Sequence, residues 1–202
     1  MSERSYSRKY CPAALAGIPD HSTRRFRETE TLYRIAAEKA PTQTWAEFGV
    51  GCGRSSRKIA ELLDDDGQFF LFDSWQGIPD EWVLSPSKSH RPGSWKFPKL
   101  KTLDNRMVIT DGWFEDTLPY AFPEQLGFVN LDCDVYSSTR QVLYGCDPFL
   151  REGSLLVFDE LIGYRYFEDH EWRAVEEWQR DTGKNVEWLG KERFAAVGVV
   201  HE

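Results

Sequence analysis

Short, nearly unbroken apolar runs alternate along this chain with stretches of helical periodicity, and that alternation constrains the fold more than any other feature. Gln68 to Phe72 is a nearly continuous apolar run, as expected of a strand covered on both faces. Thr44 to Phe48, Met107 to Thr110, Leu126 to Leu131 and Ser154 to Phe158 read as strands of the same sheet. Between them, Ser22 to Ala40, Arg54 to Leu63, Ser138 to Leu150 and Glu171 to Asp181 suit helices. The first puts Phe26, Tyr33, Ala36, Ala37 and Ala40 near one stripe and ends at Pro41. Val186 to Leu189 and Phe194 to Val200 close the chain as two strands joined by a hairpin-like link. Strands alternating with helices predict an α/β sandwich: a mostly parallel, seven-stranded sheet with right-handed crossovers and one antiparallel strand from the C-terminal hairpin.

Composition narrows the partners. The formal net charge of -8 lacks the basic footprint of a duplex-binding protein, so nucleic acid is not expected. A hydrophobic fraction of 41%, with 15 glycines besides, is enough for a real core. No apolar run approaches the roughly 18 residues of a membrane span, and Met1 to Lys9 is too polar for a signal peptide. Cys11, Cys52, Cys133 and Cys146 form no Cys-x-x-Cys pair, which reads as reduced thiols in a cytoplasmic protein. With no repeat and no Pro/Gly/Ser linker, residues 1–202 read as a single domain, 1–43 being a helical lead-in.

Chemistry concentrates at strand ends. Glu47-Phe48-Gly49-Val50-Gly51-Cys52-Gly53-Arg54-Ser55-Ser56 lies where the first strand hands over to a helix, at the carboxyl edge where such sheets bind ligands. Glycines there allow a tight turn and close approach of backbone to a ligand. The dinucleotide fingerprint fails, because its last position falls on Arg54 or Ser56. The spacing that fits is Glu-x-Gly-x-Gly-x-Gly, which resembles the cofactor loop of class I S-adenosylmethionine-dependent methyltransferases. Glu47, Gly49, Gly51, Gly53 and Ser55 are then candidate cofactor contacts. Asp73 ends the next strand where a carboxylate accepts from a ribose diol, with Ser74 beside it; Asp111, Gly112 and Trp113 follow the third strand where such folds receive adenine.

A second constellation is acidic. Asp132 and Asp134 follow one strand and Asp159-Glu160 the next, so Asp132, Asp159 and Glu160 are expected to converge. Converging carboxylates that are neither protonated nor paired hold a cation, and oxygen-only ligands suit Mg²⁺ first. Capping of the following helix is the competing reading for Asp134.

Four ordered motifs sharpen the resemblance: Phe72-Asp73-Ser74-Trp75-Gln76-Gly77-Ile78-Pro79, Gly112-Trp113-Phe114-Glu115-Asp116-Thr117-Leu118-Pro119, Asp132-x-Asp134-x-Tyr136-x-Ser138-Thr139, and the acidic pair after Val157-Phe158. Together they resemble the macrocin O-methyltransferase (TylF-type) family. That resemblance implies a Rossmann-like methyltransferase sandwich that methylates sugar hydroxyls of natural products with S-adenosylmethionine and Mg²⁺. It puts the metal on Asp132, Asp159 and Glu160, although the family's second pair is Asp-Asp. Asp132 is the first candidate base, with Asp134 and His170 behind it. The chain is shorter than typical members, which puts elements covering the acceptor or building a dimer in question; monomer and homodimer both stay open.

The segment 74–104 is long for a connection and reads as a lid, with Trp75, Trp82 and Trp95 available to stack on a sugar or aromatic acceptor. The expected reaction is Mg²⁺-dependent O-methylation of a sugar, oligosaccharide or glycosylated small molecule. A catechol-type O-methyltransferase is the rival in class. A nucleotide-dependent oxidoreductase and a noncatalytic binder are the rivals outside it.

Overall fold

The computed structural model describes residues 10–22, 29–101 and 104–202. Its main sheet joins β1 (Thr44–Phe48), β2 (Gln68–Asp73), β5 (Met107–Asp111), β6 (Phe128–Leu131), β7 (Leu155–Phe158), β8 (Asn185–Lys191) and β9 (Ala196–His201) in the order β5-β2-β1-β6-β7-β9-β8. β9 runs antiparallel between β7 and β8, and the other neighbouring pairs are parallel. This is the expected seven-stranded sheet with its terminal hairpin.

Period-2 alternation within the apolar runs sends neighbouring side chains to opposite faces. Phe48, Phe70, Phe72, Leu131 and Phe158 join one core, which α5 (Tyr136–Cys146) and α6 (Glu171–Thr182) close with Val142, Leu143, Val175 and Trp178. Trp45, Phe69, Leu71, Phe128 and Val157 join the other, against α2 (Glu30–Lys39) and α3 (Arg54–Ala60). The α2 stripe is Leu32, Tyr33 and Ala36; the expected earlier part of that helix, including Phe26, lies outside the described residues. Among the described residues two short helices, α1 (Ala13–Ala16) and α4 (Phe114–Thr117), complete the α-helical set.

Helix ends follow local chemistry. α5 gives way to a 3₁₀ turn at Asp147–Phe149, where Pro148 has no amide to donate, and α6 stops at Gly183 with φ +79°. The segment read as a lid is not all loop. It contains an antiparallel pair, β3 (Trp82–Ser85) and β4 (Lys88–His90), separate from the main sheet. Among the described residues no helix is long and apolar enough to cross a membrane.

Candidate active site

The turn after β1 carries Gly49, Gly51 and Gly53 at φ +90°, +52° and +73°, and Gly53 opens α3. Asp73, at the end of β2, holds this turn. Its Oδ2 accepts from the Gly51 amide at 2.7 Å and its Oδ1 from the Trp75 amide at 2.6 Å. The Trp75 indole donates to the Gly51 carbonyl at 3.0 Å, so this tryptophan ties the lid root to the glycine turn. Gly49, Gly51, Ser55, Asp73 and Ser74 face a cleft of about 780 Å³, and Gly112 and Trp113 form its wall beyond β5.

Three expected cofactor contacts sit elsewhere. Glu47 is fully buried beneath the turn, accepting from the Ser56 hydroxyl and from Asn130 Nδ2 at 2.9 Å. Burial pushes its carboxyl up to about 7, against the hydrogen bonds of Ser55, Ser56 and Asn130 that favour the charged form. It therefore joins β1, β6 and α3 rather than facing a ligand. Gly53 is buried, with Leu100 packed over it. Asp111 is exposed and paired with Lys99 at 2.8 Å.

Across the cleft, β6 and β7 deliver the acids. The amide of Asp132 donates to Phe48 at 2.9 Å, and that of Asp159 donates to Leu131 at 3.0 Å, which keeps the two strand ends in step. Carboxylate oxygens of Asp132, Asp134 and Glu160 lie within 4.8 Å of one another. Asp134 adopts φ +62°, a left-handed conformation that Asp tolerates better than most residues and that aims its side chain back toward Asp132. Asp159 also faces the cleft, but it accepts from the Thr29 hydroxyl at 3.1 Å and is hydrogen-bonded to Glu160. The closest trio thus includes Asp134 where the sequence pointed to Asp159.

Burial raises the carboxyls of Asp132 and Glu160 well above the usual range, and the charges acting on them most strongly are all other carboxylates. Such a cluster is self-repelling. Its oxygen-only donor set fits a hard divalent cation such as Mg²⁺. Two residues with no expected part in the site lie beneath it, Tyr33 being expected only as a member of an apolar helix stripe. Glu171 is fully buried, with Oε1 accepting from Thr139 at 3.4 Å, and burial raises its carboxyl strongly. Tyr33 is buried on the other side, its hydroxyl pushed up by burial and then by Asp159. Their place beside the cluster was not legible, because a single polar group on an amphipathic helix gives no local signal of what it will face.

The lid closes the third side. Trp82 and His90 stack at 5.4 Å between centroids, and His90 and Trp95 lie 5.1 Å apart, so the three rings form a continuous aromatic wall of the cleft. Trp82 is buried, while Trp95 is 51% exposed. Asp80 accepts from the Ser137 hydroxyl, fastening the lid to the start of α5. Phe97 lies over Gly51. His170 does not face the cleft. It is buried with Nε2 3.2 Å from the Val83 carbonyl, and burial lowers its pKa, so it supports β3 from behind. The β3–β4 pair was not expected from the sequence, although Trp82-Val83-Leu84 is a short apolar run ahead of the turn residues Pro86-Ser87.

A glycine turn after the first strand, an acid ending the second, and a reversed strand near the sheet's edge define a Rossmann-like methyltransferase fold. A family model described as a methyltransferase domain matches residues 46–161, and the chain belongs to that family. It is 36% identical over 136 residues to the 8-demethyl-8-(2,3-dimethoxy-alpha-L-rhamnosyl)-tetracenomycin-C 4'-O-methyltransferase of Streptomyces olivaceus, covering 56% of this chain and 51% of that protein. It is 30% identical over 110 residues to the demethyldecarbamoylnovobiocin O-methyltransferase of Streptomyces niveus, covering 47% and 42%. The chain thus spans about half the length, or less, of these curated relatives. The solved O-methyltransferase NovP shares the fold at a TM-score of 0.66 and 22% identity, over 85% of this chain and 79% of that one.

Proposed function

We propose that this chain transfers the methyl group of S-adenosylmethionine to a sugar hydroxyl of a glycosylated small molecule, in the manner of the macrocin-type enzymes that its four motifs resemble. The observation that carries the reading is the facing of the glycine turn and the acidic cluster across one cleft, joined where Gly49 meets Asp132. The relatives support it, since two of them are named for O-methylation and one for a rhamnosyl-bearing tetracenomycin.

In this reading the turn from Gly49 to Ser55, with Asp73, Ser74, Gly112 and Trp113, holds the cofactor. Each Asp73 oxygen already takes one backbone amide and keeps a lone pair for a ribose hydroxyl. Asp132, Asp134 and Glu160, with Asp159 hydrogen-bonded beside them, would hold a divalent cation. When bound, that ion supplies Lewis acidity that lowers the pKa of an acceptor hydroxyl. Asp132 takes the hydroxyl proton, because its strand end meets the glycine turn at Gly49 and so stands between the cofactor side and the acidic side of the cleft. The acceptor oxygen bonds to the methyl carbon as the carbon–sulfur bond breaks, leaving S-adenosylhomocysteine and a methyl ether. Trp82, His90 and Trp95 orient the acceptor by stacking.

The test is methyl transfer from labelled S-adenosylmethionine to a panel of sugars, glycosides and catechols, with and without chelator. Transfer to a glycoside, lost on chelation and restored by Mg²⁺, is the expected result. Full activity after exhaustive chelation rejects the cation, and failure to bind S-adenosylhomocysteine rejects methyl transfer.

A further inference from the structure

Asp134 reaches the acidic cluster through a left-handed backbone, at φ +62°. Such a conformation costs a non-glycine residue about 1 kcal/mol or more, and it persists where neighbouring groups over-determine it. The turn from Asp132 to Val135 is pinned from several sides. The Asp132 amide donates to the Phe48 carbonyl at 2.9 Å, and the Cys133 thiol leans on the same carbonyl at 3.6 Å. The Val135 amide folds back onto the Cys133 carbonyl at 2.6 Å. From below, the amide of Cys133, the residue between the two acids, donates to the carboxyl of Glu171.

Glu171 is a costly choice for a purely structural tie. It opens α6 and is fully buried. Its Oε1 takes the Thr139 hydroxyl at a long 3.4 Å, while Oε2 is sealed from solvent with no hydrogen bond among the described residues. The charges that act on it most strongly are those of Asp134 and Asp159, both of its own sign. An apolar residue would pack there at lower cost. What the carboxyl provides is reach, from the first turn of α6 across to the amide that separates Asp132 from Asp134. We propose that Glu171 is a positioning residue, which holds the Cys133 peptide so that Asp132 and Asp134 converge with Glu160 on one cation. Glu171 does not line the cleft, so it acts through that peptide and touches neither cation nor acceptor. The inference rests on the methyl-transfer reading with its cation, and adds to it the residue that shapes the ligand set.

Two substitutions separate reach from charge. Glu171→Gln keeps the length and an acceptor oxygen but loses the charge, whereas Glu171→Asp keeps the charge and withdraws it by one methylene. Calorimetry of Mg²⁺ binding to the full chain, without acceptor or cofactor, reads the site independently of turnover. Glu171→Asp should weaken Mg²⁺ affinity about tenfold or more, the scale of losing a group that orients metal ligands, and Glu171→Gln should retain it. S-Adenosylhomocysteine affinity should stay constant in both, because Asp73 holds the glycine turn from the other side. Three results overturn the proposal. Glu171→Asp could bind Mg²⁺ as the wild type does. Glu171→Gln could lose as much as Glu171→Asp, which would make charge rather than position the cause. Glu171→Asp could fail to fold or lose S-adenosylhomocysteine affinity in step, which would make Glu171 a general support of the fold. Wild-type protein that takes up no Mg²⁺ fails the cation reading itself, and this inference with it, and is recognised before either variant is compared.

Discussion

Gly49 packs so tightly on Asp132 that a β-carbon at position 49 would fall 1.9 Å from the Asp132 carbonyl oxygen. The cofactor turn and the acidic strand end are thus in direct backbone contact, and the φ of +90° at Gly49 excludes other residues independently. Gly49→Ala should destabilise the protein by about 3 kcal/mol or more, since both backbones must shift. Gly53→Ala meets only the mobile end of Leu100, at 2.8 Å, and should cost about 1 kcal/mol for its left-handed backbone. Urea titration of both variants checks the order; equal losses would remove the contact's importance.

Gly51→Val places a branched side chain on the cleft face of the turn. The nearest group to its β-carbon is the Phe97 ring at 3.3 Å, which can give way, but the φ of +52° strains a β-branched residue, so folding of the variant is checked first by its melting curve. Affinity for S-adenosylhomocysteine should be abolished. A folded variant with unchanged affinity, measured by calorimetry, would remove the turn from the cofactor site.

The acidic cluster makes a graded prediction. Asp132→Asn should lower turnover most, because it removes a ligand and the base together. Asp134→Asn and Glu160→Gln should raise the Mg²⁺ requirement more than Asp159→Asn, whose side chain leans on Thr29 outside the closest trio. Binding of S-adenosylhomocysteine should persist in all four. Turnover against Mg²⁺ concentration in chelator-stripped protein gives the ranking, and an Asp159→Asn defect exceeding that of Asp134→Asn would return Asp159 to the centre of the site.

Two indoles of one wall should behave differently. Trp95 is 51% exposed, and Trp95→Ala should raise the acceptor KM with little change in melting temperature. Trp82 is 4% exposed, and Trp82→Ala should also cost about 3 kcal/mol of stability. Cofactor affinity should stay constant in both. If neither variant moves the acceptor KM, the wall is packing only.

Buried Glu47 links stability to pH. Its carboxyl stands at about 7, raised from 4.5, so the folded chain keeps a proton that the unfolded chain releases between those values. Stability from this group is present below pH 4.5 and is lost as pH rises toward 7 and beyond, by up to about 3 kcal/mol. Glu47→Gln should match the wild type near pH 5 and exceed it at pH 8. Parallel losses in both proteins across that range, followed by thermal denaturation, would assign the pH effect elsewhere.

The sheet, the glycine turn and the acidic strand ends were legible in the chain because each is written locally. Doubly covered strands need continuous apolar runs such as Phe69 to Phe72, a tight strand-to-helix turn needs glycine at Gly49, and parallel strands deliver their C-terminal residues to one edge. Side-chain direction is not local. Glu47 ends under the turn because Asn130 and Ser56 meet it there, His170 ends behind β3 because Val83 does, and Asp134 reaches the cluster through a left-handed backbone while Asp159 turns to Thr29. The β3–β4 pair and its stack of Trp82, His90 and Trp95 likewise depend on contacts between short segments with weak propensity of their own. The order of residues determined which edge of the sheet carries chemistry. Only tertiary packing decided which side chains face it, because rotamer and burial are settled by neighbours far away in sequence.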